Sequence, residues 1–163
     1  MEIVYAPALK KNNSGATDDN LLCGFDIQVI ESVLEIGGGV DKILYLPHSD
    51  TSKQYTKKVL SVIEDSRLKG IKDIKQAAKC DVLITDVSNL ALAFSLFYKK
   101  PSILFLSGFT GLDFGEDKLF KLLDRISFTC YSLKDLKDTL ENLQTTSAKK
   151  EQNIIDFLKG DLF

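Results

Sequence analysis

The chain has 163 residues, a formal net charge of -2 at pH 7, 44% hydrophobic residues and 27% charged residues. These values are typical of a soluble globular protein, and they predict a single domain over residues 1–163 with a buried core. The lysines are spread along the chain and only two arginines occur, Arg67 and Arg125, so we expect no nucleic-acid partner.

Membrane and metal signals are weak in this sequence. No apolar stretch reaches the roughly 18 residues of a membrane-spanning helix, and the N-terminus lacks the pattern of a secretion signal. A cytoplasmic location is therefore the expectation.

The cysteines Cys23, Cys80 and Cys130 are far apart and lie among apolar residues. This arrangement predicts buried thiols instead of disulfides or a zinc site, and no cofactor is expected.

Short apolar segments alternate with segments of helical periodicity along the chain. Residues 2–6 predict the first strand, and a polar loop over residues 8–20 leads into a helix that ends at Gly37, Gly38 and Gly39. Further strands are predicted at residues 43–46, 67–69 and 82–85, after Pro101 and at 127–130. Six further helices are predicted. The first carries Tyr55, Val59 and Val62 on one face, the second spans residues 73–79, and the third begins at Ser88. The fourth carries Leu119, Leu122, Leu123 and Ile126, the fifth follows Ser132 as far as Leu143, and the sixth spans about 147–162.

The order of these elements predicts the fold class. About six strands alternate with helices, and each connection is long enough for a right-handed parallel crossover. This order indicates an α/β, Rossmann-like, doubly wound parallel sheet, with the helix at about 147–162 bracing the domain. In such sheets ligands bind at the carboxyl ends of the strands.

One turn at such a strand end could bind an anion. Asp86-Val87-Ser88-Asn89 follows the apolar strand at residues 82–85 and opens a helix. The first N–H groups of a helix lack internal partners and carry the positive end of the helix dipole, so Ser88 and Asn89 are candidate phosphate-binding residues. The alternative is that Asp86 or Ser88 only caps the helix. A receiver domain is disfavoured because no acidic pair follows the first strand.

His48 is the only histidine of the chain and follows the strand at residues 43–46. A single His without acidic neighbours of suitable spacing does not make a metal site. It could instead donate to a phosphate oxygen, provided that its loop faces the helix that begins at Ser88. The alternative is a loop histidine without a role. The Walker and GxGxxG phosphate-binding patterns do not occur in the sequence.

Three segments taken together resemble a known family. They are YAPALKK at residues 5–11, LYLPHSD at 44–50 and KDIKQAAKCDVLITDVSNLALAFSLFYKKPSILF at 72–105. In order and spacing they resemble the C-terminal half of the CDP-glycerol glycerophosphotransferases, the enzymes of teichoic-acid and capsule polymers. The resemblance covers about residues 4–106, and its most specific part is the LITD-x-S segment followed by Lys-Pro.

The resemblance implies a function and a site. By it, the chain resembles the donor-binding half of a GT-B transferase, and its donor is a CDP-alcohol or a related nucleotide-diphosphate sugar. His48, Ser88, Asn89 and Lys10 would then bind the donor phosphates, with His48 as a stabiliser of the leaving phosphate and Asp86 supporting the helix start. The sequence departs from the family pattern at Ser49, in the Val87-Ser88-Asn89 turn and at Lys10, where the family has Arg.

The resemblance also implies partners. A GT-B enzyme binds its acceptor in a second domain, so we expect an N-terminal acceptor domain or a partner subunit, and no turnover by this chain alone. Peripheral membrane association through the parent enzyme, at the inner face of the membrane, is a further expectation. The alternative function is a non-catalytic nucleotide-binding or protein-interaction module with the same fold.

Overall fold

The computed structural model describes residues 1–9, 19–36, 39–107 and 117–161. The chain divides into two compact units, Met1–Cys80 and Asp81–Phe163. Each unit contains three of the six strands that are described, paired in parallel and alternating with helices, which confirms the predicted α/β, Rossmann-like class. Whether the chain behaves as one domain stays a prediction.

The unit Met1–Cys80 has three strands in the order β3-β2-β1. Its elements are β1 (Glu2–Tyr5), α1 (Asp19–Leu34), β2 (Lys42–Tyr45), α2 (Lys53–Val62), β3 (Leu68–Gly70) and a short 3-10 helix (Ile74–Ala77). The strands pair in parallel, with Ile3 opposite Ile43 and Ile43 opposite Leu68. Most residues of β1 and β2 are buried, as expected for strands covered on both faces.

The unit Asp81–Phe163 repeats this plan with the strand order β4-β5-β6. Its elements are β4 (Val82–Thr85), α3 (Ser88–Tyr98), β5 (Ser102–Phe105), α4 (Lys118–Ile126), β6 (Ser127–Cys130), α5 (Leu133–Glu141) and α6 (Leu143–Lys159). Every residue of β4 and β5 is buried. A core of buried residues packs against these strands: Ala91, Leu92, Leu104, Leu122, Leu123, Ile126 and Ile154.

The helix ends of this unit have clear physical causes. Ser132 caps α5, since its hydroxyl accepts a 3.1 Å hydrogen bond from the N–H of Asp135. Gly160 ends α6 with φ at +85°, a conformation that glycine adopts without steric cost. The same helix begins at Leu143, four residues earlier than the predicted position 147. The amide of Asn153 fixes α6 on α4 by donating to the carbonyl oxygen of Arg125.

Three residues expected on buried helix faces are exposed. Val62 is 52% exposed at the end of α2, Leu119 is 45% exposed in the first turn of α4, and Leu158 is 48% exposed in the last turn of α6. All three lie at helix ends, where a helix can extend past the surface that it covers. Apolar periodicity marks the face of a helix and not how far along it the contact continues.

Candidate functional site

The predicted anion site begins where β4 ends and α3 starts. The Thr85 hydroxyl accepts a 3.1 Å hydrogen bond from the N–H of Val87, and the chain bends at Asp86 before the helix begins. Val87, at φ -108° and ψ 108°, therefore holds the N-cap position of α3, and its side chain makes no capping hydrogen bond. The expectation that Asp86 or Ser88 caps the helix is corrected, because Asp86 lies before the cap and Ser88 is already helical.

An apolar N-cap changes what the first turn of α3 offers a ligand. The first intrahelical bond runs from the N–H of Ala91 to the carbonyl oxygen of Val87 at 3.0 Å. Within the described part of the chain, the N–H groups of Asn89 and Leu90 have no hydrogen-bond acceptor. These two N–H groups and the positive end of the helix dipole therefore face the carboxyl end of a buried strand.

The site residues in this turn are adjacent in sequence and in space. Ser88 and Asn89 are the first two residues of α3, and the Asn89 side chain is exposed. The side chain of Ser88 lies outside what the structure describes, so its hydroxyl as a phosphate donor stays a prediction. Asp86 is half-buried just before the helix.

His48 lies in the other unit, in the loop between β2 and α2. The loop turns tightly, because the carbonyl oxygen of His48 accepts a 2.9 Å hydrogen bond from the N–H of Thr51. The ring nitrogen Nδ1 of His48 accepts a 3.2 Å hydrogen bond from the N–H of Asp50. The neutral imidazole therefore carries its proton on Nε2, and the exposed ring presents that N–H as a donor.

The remaining site predictions are untested by these contacts. Lys10 lies outside the described residues. His48 belongs to the unit Met1–Cys80, whereas Ser88 and Asn89 belong to the unit Asp81–Phe163. The shared phosphate site of His48 and Ser88 therefore stays a prediction.

A buried carboxylate in the first unit escaped the sequence analysis. Asp26 of α1 is 1% exposed and accepts hydrogen bonds from three tyrosine hydroxyls: Tyr5 at 2.7 Å, Tyr45 at 3.2 Å and Tyr55 at 2.7 Å. Helical spacing was the sequence signal that could have found it. Asp26 lies three positions before Val29 and four before Ile30, so it shares the face of α1 that carries these buried residues. Because three hydroxyls satisfy this carboxylate, the cluster stabilises α1 against β1, β2 and α2.

The cysteine prediction is confirmed for the two cysteines that are described. Cys80 and Cys130 are fully buried, and neither forms a disulfide with a described residue. Burial raises the pKa of the Cys130 thiol, and a 3.3 Å hydrogen bond with the Thr139 hydroxyl opposes part of that rise. Such a thiol is a poor nucleophile. The side chain of Cys23 lies outside the described residues.

The described residues contain neither a metal cluster nor a membrane-spanning helix. Across residues 1–9, 19–36, 39–107 and 117–161, no three His, Cys, Asp or Glu side chains are grouped so that they could hold a metal ion. None of the helices in this same part of the chain combines the length and apolarity needed to cross a membrane.

Comparison with known proteins finds a similar fold but no matching family. No protein-family model matches the chain, and no curated protein is significantly similar to it. The crystal structure of TarM is similar, with a TM-score of 0.51 and 16% sequence identity over 98% of this chain and 33% of the TarM chain. The chain thus spans about a third of that protein. The likeness shows a similar fold and no more, and the CDP-glycerol family stays a prediction.

Proposed function

We propose that this chain is the donor-binding part of a glycosyl- or glycerophosphotransferase in the synthesis of a cell-surface polymer such as teichoic acid or capsule. Its ligand would be a CDP-alcohol or a nucleotide-diphosphate sugar. The observation that carries the proposal is the start of α3, where a helix with an apolar N-cap begins at the carboxyl end of a fully buried strand. The related glycosyltransferase fold gives independent support.

The chemistry follows from what transfer requires. When an acceptor hydroxyl attacks the donor, negative charge develops on the leaving phosphate, and fixed donors that face this charge lower the barrier. The N–H groups of Asn89 and Leu90 would hold the diphosphate together with the side chains of Ser88 and Asn89. His48 would add its Nε2–H, and Lys10 a positive charge.

The acceptor side of the reaction is assigned to a second domain or a partner subunit. The proposal therefore expects this chain to bind a nucleotide without turning it over. A turnover number near the roughly 10 per second that is typical of enzymes would contradict it. Peripheral association with the inner face of the membrane would come through the parent enzyme.

The decisive experiment is calorimetric titration of the chain with CDP, UDP and CDP-glycerol. In the proposed site, Ser88→Ala removes a charge-assisted hydrogen bond of about 1.5 to 3 kcal/mol, so nucleotide affinity should fall about tenfold or more. Its melting temperature should stay close to that of the wild type, because Ser88 is not the N-cap. His48→Ala should also weaken binding.

Ser132→Ala is the matched control. Ser132 is a true N-cap in the same unit, so this change should cost about 1 kcal/mol of stability and leave nucleotide affinity unchanged. If Ser88→Ala instead destabilises the fold while affinity for CDP and UDP stays within about twofold, a difference of less than 0.5 kcal/mol, the phosphate site is refuted. The absence of any nucleotide binding would refute the proposal as a whole.

A further inference from the structure

A cavity of about 580 Å³ lies entirely within the unit Met1–Cys80. It is bounded by the loop after β2, one side of α2 and the end of β3, so it opens at the carboxyl ends of two parallel strands. Its volume is within the range of pockets that bind small organic molecules, about 300 to 1,000 Å³. None of its lining residues belongs to the unit that contains Ser88.

All the charged residues that line this cavity are lysines. Lys53 and Lys57 line it from α2, one helical turn apart, and Lys72 lines it from the segment after β3. No Asp or Glu is among the lining residues. In the part of the chain that is described, none of the three lysines forms an ion pair. Three uncompensated ammonium groups around one cavity favour an anion, and lysine is a common phosphate ligand.

The rest of the lining indicates what the anion is attached to. Pro47, Leu60 and Ile71 provide an apolar surface, and Ile71 is only 5% exposed. The hydroxyls of Thr51 and Thr56 are neutral hydrogen-bonding groups beside the lysines. Apolar walls with a few polar groups are characteristic of sites for organic ligands and not for a bare ion.

From these observations we propose that the cavity, here called the lysine pocket, binds a small organic phosphate monoester with an apolar or aromatic body. The phosphate lies against Lys53, Lys57 and Lys72, and the body lies on Pro47, Leu60 and Ile71. None of its lining residues is among the residues assigned to the donor site, and the inference does not depend on the proposed donor function.

Phenyl phosphate is the probe, because it combines the two halves of the proposed ligand. Residue-resolved NMR titration of the full chain should show saturable shifts at residues 56–61 and 70–72. Inorganic phosphate should bind more weakly, since it lacks the apolar body. The triple variant Lys53→Gln, Lys57→Gln, Lys72→Gln should bind phenyl phosphate at least about tenfold more weakly, a difference of about 1.4 kcal/mol or more.

Lys75→Gln is the matched charge control, because Lys75 is an exposed lysine of the same unit that does not line the pocket. It should bind phenyl phosphate as the wild type does. Gly70→Ala tests the shape. A Cβ at Gly70 would lie 2.8 Å from Cδ1 of Leu60, so the Leu60 side chain has to move. Phenyl phosphate should lose affinity in this variant, whereas inorganic phosphate should not.

Four results would overturn the proposal. They are no saturable shift at millimolar phenyl phosphate, equal binding by the triple lysine variant, an equal loss in Lys75→Gln, and displacement of phenyl phosphate by CDP. Displacement by CDP would mean that the lysine pocket is part of the donor site. A chain that binds phenyl phosphate here but does not bind CDP would retain this inference and refute the donor proposal, so the two failures are distinguishable.

Discussion

The hydroxyl of Tyr55 donates a 2.7 Å hydrogen bond to the buried carboxylate of Asp26, which joins α2 to α1 inside the first unit. The Tyr45 hydroxyl reaches the same carboxylate oxygen at 3.2 Å. Two tyrosines therefore share one acceptor at different distances. Their rings are buried, so removal of either hydroxyl leaves the packing of the ring in place.

Tyr55→Phe should lower the free energy of unfolding by about 1.5 to 3 kcal/mol, the range for hydrogen bonds to charged groups. Tyr45→Phe is the matched comparison and should cost less, because its hydrogen bond is longer. Urea denaturation of both variants measures the difference. An equal or larger loss in Tyr45→Phe would contradict this ranking of the two bonds.

The Asp26 cluster shows what a single sequence can and cannot reveal. The helical spacing around Asp26 placed an acidic residue on a buried face, so the sequence contained a sign of a buried polar group. Its partners come from β1, β2 and α2, up to 29 residues away. Periodicity describes one element at a time and carries no information on which distant hydroxyls meet.

The site shows the same division between local and distant information. The strand at residues 82–85 and a helix beginning at Ser88 were predictable, because a buried apolar run and a turn are local signals. The N-cap was misplaced, since the Thr85 hydroxyl binds the N–H of Val87 across a bend at Asp86, and the helix begins only after Val87. The lysine pocket was missed altogether, because Lys72 approaches Lys53 and Lys57 only after β3 has packed beside α2.

Asp65 and Arg67 should make stability depend on acid pH. Hydrogen bonds from the Arg67 side chain lower the pKa of Asp65 to about 2. An unfolded Asp titrates near 3.9, so the folded chain binds this proton less tightly. The stabilisation is therefore present above about pH 4 and is lost as the pH falls towards 2.

The measurement is the difference in unfolding free energy between the wild type and Asp65→Asn. This difference should shrink as the pH is lowered from about 5 to about 3, because the unfolded wild-type chain binds a proton at Asp65 over that range while the folded chain stays ionised there. Asp138→Asn is the control, since Asp138 pairs with Lys134 on an exposed helix surface, where ion pairs contribute little. A constant difference for Asp65→Asn would contradict the prediction.

Lys150 should make the stability of the fold depend on pH in the alkaline range. Its ammonium donates a 2.6 Å hydrogen bond to the carbonyl oxygen of Asp124 and lies 5.3 Å from the centre of the Phe128 ring. Burial lowers the pKa of Lys150 below its usual 10.5. The unfolded chain therefore binds this proton more tightly, so stability should rise as the pH approaches 10.5.

Lys150→Met should remove this rise. Lys149→Met, at the neighbouring exposed position, should keep most of it, because burial and not the charge of Lys149 is the largest cause of the lowered pKa of Lys150. Thermal unfolding of the three proteins at pH values from about 8 to about 10.5 tests the effect. The prediction fails if the pH dependence of the wild type and of Lys150→Met is the same.

Val87 offers the sharpest test of the donor site, because it separates stability from binding. Val87→Thr retains the branched side chain and adds a hydroxyl at the N-cap of α3. This hydroxyl would accept a hydrogen bond from the first turn, so stability should rise by about 0.5 to 1 kcal/mol. The same hydroxyl would compete with a bound diphosphate for the N–H groups of Asn89 and Leu90. Affinity for CDP should therefore fall while the melting temperature rises.

Val87→Ala is the control for the site, since it shortens the side chain without adding an acceptor. It should lower stability through lost packing and leave CDP affinity near that of the wild type. The two variants are compared by thermal unfolding and by calorimetric titration with CDP. If Val87→Thr stabilises the fold and binds CDP as the wild type does, then a diphosphate does not occupy the first turn of α3, because a side-chain oxygen and a phosphate oxygen cannot accept the same N–H at full strength.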